Sequence, residues 1–291
     1  MTVDVNTGLF GQGLRRMGKV AATLIVLTWA GVSPVHADEP VVELDLAIQP
    51  VLSANATHDR YLPLARYLSE ITGYRINLVT SPNFVAYWQG MLRSDRAPDL
   101  ALDASHFTGY RAKYMGYKIL ARIPDKVSYS LVTRDDDLVM DPNEIIAEPI
   151  ASFSSPGMGA VLLDRMFPSV FRKPVVVEMP GTEDAIRALR EERVRAAFIP
   201  SRLVGSFPGL FVVATTEQHE APALSAAPSV SIEARRRLAE TLLNMQHTEA
   251  GRLALEQSAI ERFDTPTEDA YLDDAKLLTA YWPMGPHRQM Q

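Results

Sequence analysis

Cysteine is absent from the 291 residues. That excludes disulfide staples, thiolate metal sites, a cysteine nucleophile and an acyl anchor on an N-terminal cysteine. The six histidines show no HExxH or HxxxH spacing, so no dedicated zinc motif is present. A Walker lysine, GxGxxG and the GxSxG elbow are missing too, which argues against nucleotide binding and against the common hydrolase sites. Basic residues are outnumbered, and the net charge of −6 argues against nucleic acid or an anionic membrane as partner. One apolar run stands out, residues 20–32, and it is shorter than the roughly 20 residues a bilayer span needs.

That run sits in a recognisable context. Arg15, Arg16 and Lys19 precede it, and Val35, His36 and Ala37 follow with small residues placed for cleavage before Asp38. This is the layout of a cleaved secretory signal over residues 1–37, so the expected compartment is the periplasm and no stable membrane anchor is expected. Residues 38–291 are enough for two modest lobes.

The pattern centres on residues 149–166. A short apolar run passes through Ser154, Ser155, Pro156, Gly157, Met158 and Gly159 into helical spacing at Val161, Leu162 and Met166. That reads as a strand, a small-residue turn and a helix start, where free N–H groups and a partial positive charge suit an oxyanion. An ordinary capped strand-to-helix connection has the same pattern. Upstream, residues 41–48, 75–79, 98–103 and 118–123 read as strands, alternating with helices near residues 61–71 and 83–92 and one through Tyr110 and Tyr114 that closes at Gly116. A polar loop is expected over 53–59. Downstream come a strand at 127–133, an acidic turn at 134–137, strands at 175–179, 196–199 and 210–214, and a helix after Gly181. Residues 215–228 lack regular periodicity and read as a crossing between lobes, and 232–258 and 268–281 read as helices. The expected division is 38–131 for the first part of lobe 1, 132–214 for lobe 2, and 215–291 for the crossing and a return to lobe 1. Hinges are expected around 129–134 and 215–228.

The βαβ rhythm implies α/β lobes with mixed, mostly parallel sheets flanked by helices. Open sheets of this kind bind ligands beyond the carboxyl ends of their strands. The loops at 55–59, 103–106 and 154–159, with the helix start at Thr182 and Glu183, meet that rule. His58, His106, Asp103, Glu183 and Met158 would then face one cleft. Histidine and carboxylate ligands suit a transition metal, protonated histidine suits an oxyanion, and carboxylates suit an amine. A surface or capping role remains open for each. His219 and Glu220 read as solvated, and Tyr61, Tyr110 and Tyr114 as core.

Several segments in one register resemble the phosphate/phosphite/phosphonate-binding periplasmic proteins of ABC transporters: YLPLARYL at 61–68 with Thr72 and Gly73, Asn83 and Phe84 through WQGM at 88–91, PDLA at 98–101, YSLVTR at 129–134 and GTEDAIRAL at 181–189. The resemblance implies the type 2 periplasmic binding protein fold, with the ligand cleft between two lobes closing by a hinge. It implies a small-molecule ligand of the phosphorus oxyanion class, an ABC permease as partner, no cofactor and no catalysis. It places Ser154, Ser155, Gly157, Met158, Gly159, Thr182, Glu183, Asp103, Ser105, His106 and His58 around the ligand. The chain departs from the pattern where proline, glycine and methionine replace cradle hydroxyls, where Thr182 stands for a common histidine, and where Arg195 stands for a late acidic residue. A metal or ligand sensor on the same fold, using His58, His106, Asp103 and Glu183 and feeding a sensor kinase, is the alternative expectation. A monomer is expected.

Overall fold

The computed structural model describes residues 41–93 and 97–279. The expected signal segment at 1–37 and the end of the last expected helix, at 280 and 281, lie outside the described residues. No helix among the described residues is long and apolar enough to cross a membrane.

The first strand, β1 (Glu43–Ile48), buries Leu44, Leu46 and Ile48 and exposes Glu43 and Asp45, so alternation gives way to full burial as the strand enters the sheet. It runs parallel to β2 (Arg75–Val79) and to β3 (Leu100–Asp103). Between β1 and β2 lies α1 (Ala54–Thr72), whose Leu64 and Leu68 are fully buried. Burying a leucine side chain contributes on the order of 1.5–3 kcal/mol. The polar stretch expected as a loop at 53–59 is instead the beginning of α1, capped by Ser53, whose side chain accepts from the Ala56 N–H. Its residues mostly face solvent, so they show no apolar period, and Pro63 inside the helix disguises its continuity. A helix-interior proline removes one backbone hydrogen bond, and packing of the flanking leucines offsets it.

Helix α2 (Phe84–Leu92) and α3 (Ser105–Met115) follow β2 and β3, and β4 (Lys118–Arg122) closes the first pass. The chain then crosses through β5 (Lys126–Val127) into β6 (Tyr129–Arg134). The second sheet is completed by β7 (Pro149–Ser152), β8 (Val175–Glu178), β9 (Ala196–Pro200) and β10 (Leu210–Thr215), in the order β10-β6-β9-β7-β8. Strands β8, β7 and β9 are parallel, while β6 is antiparallel to both neighbours. Helices α4 (Met158–Met166) and α5 (Thr182–Arg190) connect them.

The return segment is more ordered than its pattern suggests. It forms β11 (His219–Glu220), antiparallel to β5, and β12 (Ala223–Ala226), inserted between β3 and β4. All four residues of β12 are buried, so no polar alternation marks it, and its side chains are mostly small. The expected lobe boundary between 131 and 132 falls inside β6, the first expected hinge segment coincides with that strand, and the two chain passages that flank the second sheet pair as β5 and β11.

Helices α6 (Ile232–Asn244) and α7 (Glu249–Gln257) cover the first sheet. The last helix, α8 (Glu268–Thr279), lies against α3. A Cβ on Gly109 would sit 1.9 Å from the Tyr271 carbonyl oxygen, so this approach of the two helices requires glycine. Along α8, Leu277 packs into the core of the second lobe and Leu278 into an aromatic cluster of the first, with Phe84, Trp88, Phe107 and Tyr110.

Candidate functional site

The carboxyl ends of β1, β3 and β7 point at one junction between the sheets. A small cavity of about 30 Å³ lies there, lined by Gln49, Val51, Phe84, Ala104, Tyr129, Phe153, Met158 and Gly159. No charged side chain is among them. Helices α2, α3 and α4 all begin at its wall. The Asn83 side chain caps α2, but α3 and α4 start on Ala104 and Gly157 with no side-chain cap and no acidic residue in the first turn. Helix α5 also starts without a side-chain cap, on Gly181, yet Glu183 and Asp184 occupy its first turn. The starts of α3 and α4 therefore present polar N–H groups and partial positive charge toward the same small space.

Neutral donors complete the wall. The Gln49 side-chain oxygen accepts from the Ala104 N–H at 3.1 Å, which leaves its amide nitrogen as a donor. Burial pushes the Tyr129 phenol up to about 12, against the nearby Arg202 charge, so the hydroxyl keeps its proton at neutral pH. Tyr129 is held by stacking on Phe198 with ring centroids 5.6 Å apart. A Cβ on Gly159 would meet Tyr129 and Phe153 at 3.0 and 3.1 Å, so glycine there preserves the room.

The expected site residues fall into three groups. Met158 and Gly159 line the cavity, with Gly157 immediately behind it against Phe84, and Ser154 and Ser155 lie half-buried in the same turn. Ser105 and His106 sit at the buried start of α3 but point elsewhere. The Ser105 hydroxyl donates to Asp274 of α8, and His106 Nε2 lies 2.9 Å from the Pro156 carbonyl. His58, Asp103, Thr182 and Glu183 form the third group, away from the cavity lining.

Asp103 is a structural carboxylate. Both oxygens are taken: Tyr87 donates at 2.7 Å, Thr108 at 2.7 Å and Arg111 Nε at 3.0 Å, all fully buried. Burial works against the Arg111 charge, but Tyr87 and Asp103 beside it more than offset this and raise its pKa. His58 projects from α1 into solvent, with Asp59 at 3.4 Å, because its loop is a helix. Glu183 is exposed on the first turn of α5. Among the described residues no three His, Cys, Asp or Glu side chains gather to hold a metal, so the expected histidine–carboxylate constellation does not form. His219 and Glu220 are buried rather than solvated: His219 Nδ1 contacts Asp274 at 2.8 Å, and Glu220 pairs with Arg122 and Lys126. Arg195 pairs with Asp137 and Glu148 on the second lobe.

Sequence reading missed Gln49, Val51, Phe84, Tyr129 and Phe153. Gln49 and Phe153 lie one residue past β1 and β7, so the strand-end rule applied to those two termini would have found them. A larger cavity, about 860 Å³, lies between α4, α8 and residues 217–219. Its rim is spent on ion pairs, Arg165–Glu217 at 3.1 Å and Lys276–Asp273 at 2.7 Å, and no strand end of the parallel runs opens on it. The smaller cavity is the candidate ligand site.

Residues 46–271 match the family described as ABC transporter, phosphonate, periplasmic substrate-binding protein. The chain belongs to this family. Its members are substrate-binding components of transport systems and not an enzyme family. No curated protein matches the chain at a significant level. Among solved structures, PhnD1 from Prochlorococcus marinus in complex with methylphosphonate is similar with TM-score 0.70 at 10% identity, covering 83% of this chain and 99% of that one. The binding protein component of an ABC phosphonate transporter from Pseudomonas aeruginosa gives TM-score 0.67 at 15% identity, covering 82% and 86%. XAC2383 from Xanthomonas citri, solved bound to ATP, gives 0.67 at 10%, covering 86% and 99%. At these identities the likeness shows the fold, that of the type 2 periplasmic binding proteins. In this phosphonate-family chain the cavity lies between the two lobes of that fold.

Proposed function

We propose that this family member captures a small phosphorus oxyanion in the cavity between its lobes and delivers it to an ABC permease. The observation that carries the ligand class is the convergence of the α3 and α4 starts, both lacking a side-chain cap, on a cavity without a carboxylate in its lining. The third amide of the first turn, which serine, asparagine or threonine caps at α1, α2, α6 and α7, is held by the Ala104 carbonyl at α3 through Phe107, so what these two starts offer an oxyanion is the partial positive charge of the helix ends and their first N–H groups. The Tyr129 hydroxyl and Gln49 amide add donors. Among the described residues no lysine or arginine lines the cavity, so in this reading the ligand's charge is met by backbone and neutral groups. The apolar walls of Val51, Phe84, Phe153 and Met158 suit a substituent of hydrogen or a small alkyl group on phosphorus. A volume near 30 Å³ is about that of one water, so the lobes part to admit the ligand and the flexible Met158 side chain yields to it. The protein acts in this reading as an exported monomer, released by cleavage before Asp38, and holds its ligand unchanged.

The test is a thermal-shift and calorimetric screen of residues 38–291 with phosphate, phosphite, methylphosphonate and 2-aminoethylphosphonate, and with sulfate and carboxylates as other anions. A ligand at 100 times its Kd stabilises by about 2.7 kcal/mol, a shift of several degrees. Binding of a phosphorus oxyanion that Met158→Glu abolishes is the expected result. Response to none of these anions, or binding that Met158→Glu leaves intact, overturns it.

A further inference from the structure

Two residues of the first lobe are seated on one turn of the second. His106, in the first turn of α3, is fully buried and places Nε2 2.9 Å from the carbonyl oxygen of Pro156. A carbonyl only accepts, so Nε2 carries the hydrogen and Nδ1 does not; Nδ1 is buried without a hydrogen-bond partner. One residue on, Gly157 meets Phe84, the first residue of α2. A Cβ at 157 would stand 2.9 Å from Phe84 Cε2 and 3.0 Å from the Ser154 carbonyl. The ring and the turn are therefore in contact with no room for a methyl group.

The turn at 154–157 launches α4, and Met158 and Gly159 line the cavity. On the other side, α3 is anchored in its own lobe. Ser105 donates to Asp274, Asp274 holds His219 Nδ1 at 2.8 Å, and the His106 ring rests on Phe107 with centroids 4.1 Å apart. The hydrogen bond and the ring contact both join residues of different lobes, so both exist only when the lobes are together.

We propose that His106 and the Phe84–Gly157 contact form a closure latch, with His106 a positioning residue that acts on the ligand through the 154–157 turn and never touches it. The latch sets the starts of α3 and α4 face to face and holds a closed population before ligand arrives. Ligand affinity then scales with the population of that competent form. This rests on the cavity being the ligand site, but the latch itself is read without ligand.

The chain has no cysteine, so Phe171→Cys and Ile232→Cys, both at exposed positions in different lobes, give a unique pair of spin labels. Distances between them are measured by electron–electron resonance in this double variant and after adding His106→Leu, His106→Gln or Gly157→Ala. Methylphosphonate is the probe for a parallel measurement of dissociation rate. Without ligand, the parent shows a closed-distance component that His106→Leu and Gly157→Ala deplete. His106→Gln, whose amide reaches the same carbonyl, restores it. Dissociation speeds up about fivefold in the two latch-breaking variants, the scale of one neutral hydrogen bond. Circular dichroism confirms that each variant folds, and His106→Gln keeps the test valid if His106→Leu does not. A parent without the closed component, unchanged distances in Gly157→Ala, or His106→Gln failing to retain the closed component overturns the latch. Failure of methylphosphonate to bind while the distances shift as expected overturns the ligand assignment alone.

Discussion

Two cavities among the described residues differ in a way that volume conceals. The larger one, beside α4 and α8, is rimmed by charged side chains that already have opposite charges against them, as Arg165 has Glu217 and Lys276 has Asp273. The smaller one between the lobes has no charged side chain among the described residues of its lining, yet two helix starts reach it without a side-chain cap. The partial positive charge of helix starts with no carboxylate beside them, more than space, is what distinguishes a place built to receive an anion. Exposed ion pairs of the larger rim are individually worth about 0–1 kcal/mol, whereas a buried donor left without an acceptor costs about 1–3 kcal/mol.

The sharpest way to separate structural charge from ligand chemistry is Asp103. Its replacement by alanine leaves Arg111 buried and unpaired, and we expect a loss of about 3–5 kcal/mol in chemical denaturation. A variant that keeps full stability but loses ligand would return Asp103 to the binding site. Next in size is a pH effect at the cleft. Burial holds His106 at about 4, below its ordinary 6.5, with the Pro156 carbonyl acting the other way. The unfolded chain therefore binds a proton between these values that the native state does not. Stability is complete above about pH 6.5 and falls as pH is lowered toward 4, by up to about 3 kcal/mol. Urea midpoints at pH 7 and 4.5 measure it, and His106→Gln should flatten that part of the profile.

Gly109→Ala tests the seating of α8. The added methyl meets a backbone carbonyl that cannot rotate away, so we expect about 1–3 kcal/mol of destabilisation; an unchanged melting temperature would show that the helices can separate at no cost. The smallest effects bear on the comparison itself. Tyr129→Phe removes a donor from the smaller cavity and should weaken oxyanion binding about fivefold to tenfold. Glu217→Ala at the rim of the larger cavity should leave that affinity within about twofold, as an exposed pair allows. Calorimetric titration of the two variants reads both, and the reverse ranking would move the site.

Much of the fold is legible in the sequence because its strands and helices repeat their apolar positions at the proper period. The exceptions have physical reasons. The first turns of α1 are polar because they face solvent, so periodicity is silent there and only Ser53 marks the start. Strand β12 is buried on both faces, so it lacks the alternation that reveals a half-exposed strand. The site was less legible. Residues 154–159 stand out through their small side chains, but Gln49, Tyr129 and Phe153 are ordinary residues made special by strands that converge from distant parts of the chain. Asp103 and His58 stand out through chemical type and through their place at or just past expected strand ends. One is consumed by Arg111, and the other points to water.

The insertion of β12 also governs the order in which the molecule can be made. The second sheet uses one continuous stretch, from Tyr129 to Thr215. The first sheet needs Ala223–Ala226 between strands that ended about a hundred residues earlier. Delivered from its N-terminus, the chain releases β1 to β4 first but can finish their sheet only after the second lobe has emerged. Long-range pairings of this kind slow folding. The half of the protein that appears first is therefore the half that waits, with the β3 and β4 edges unpaired, for a four-residue strand to close it.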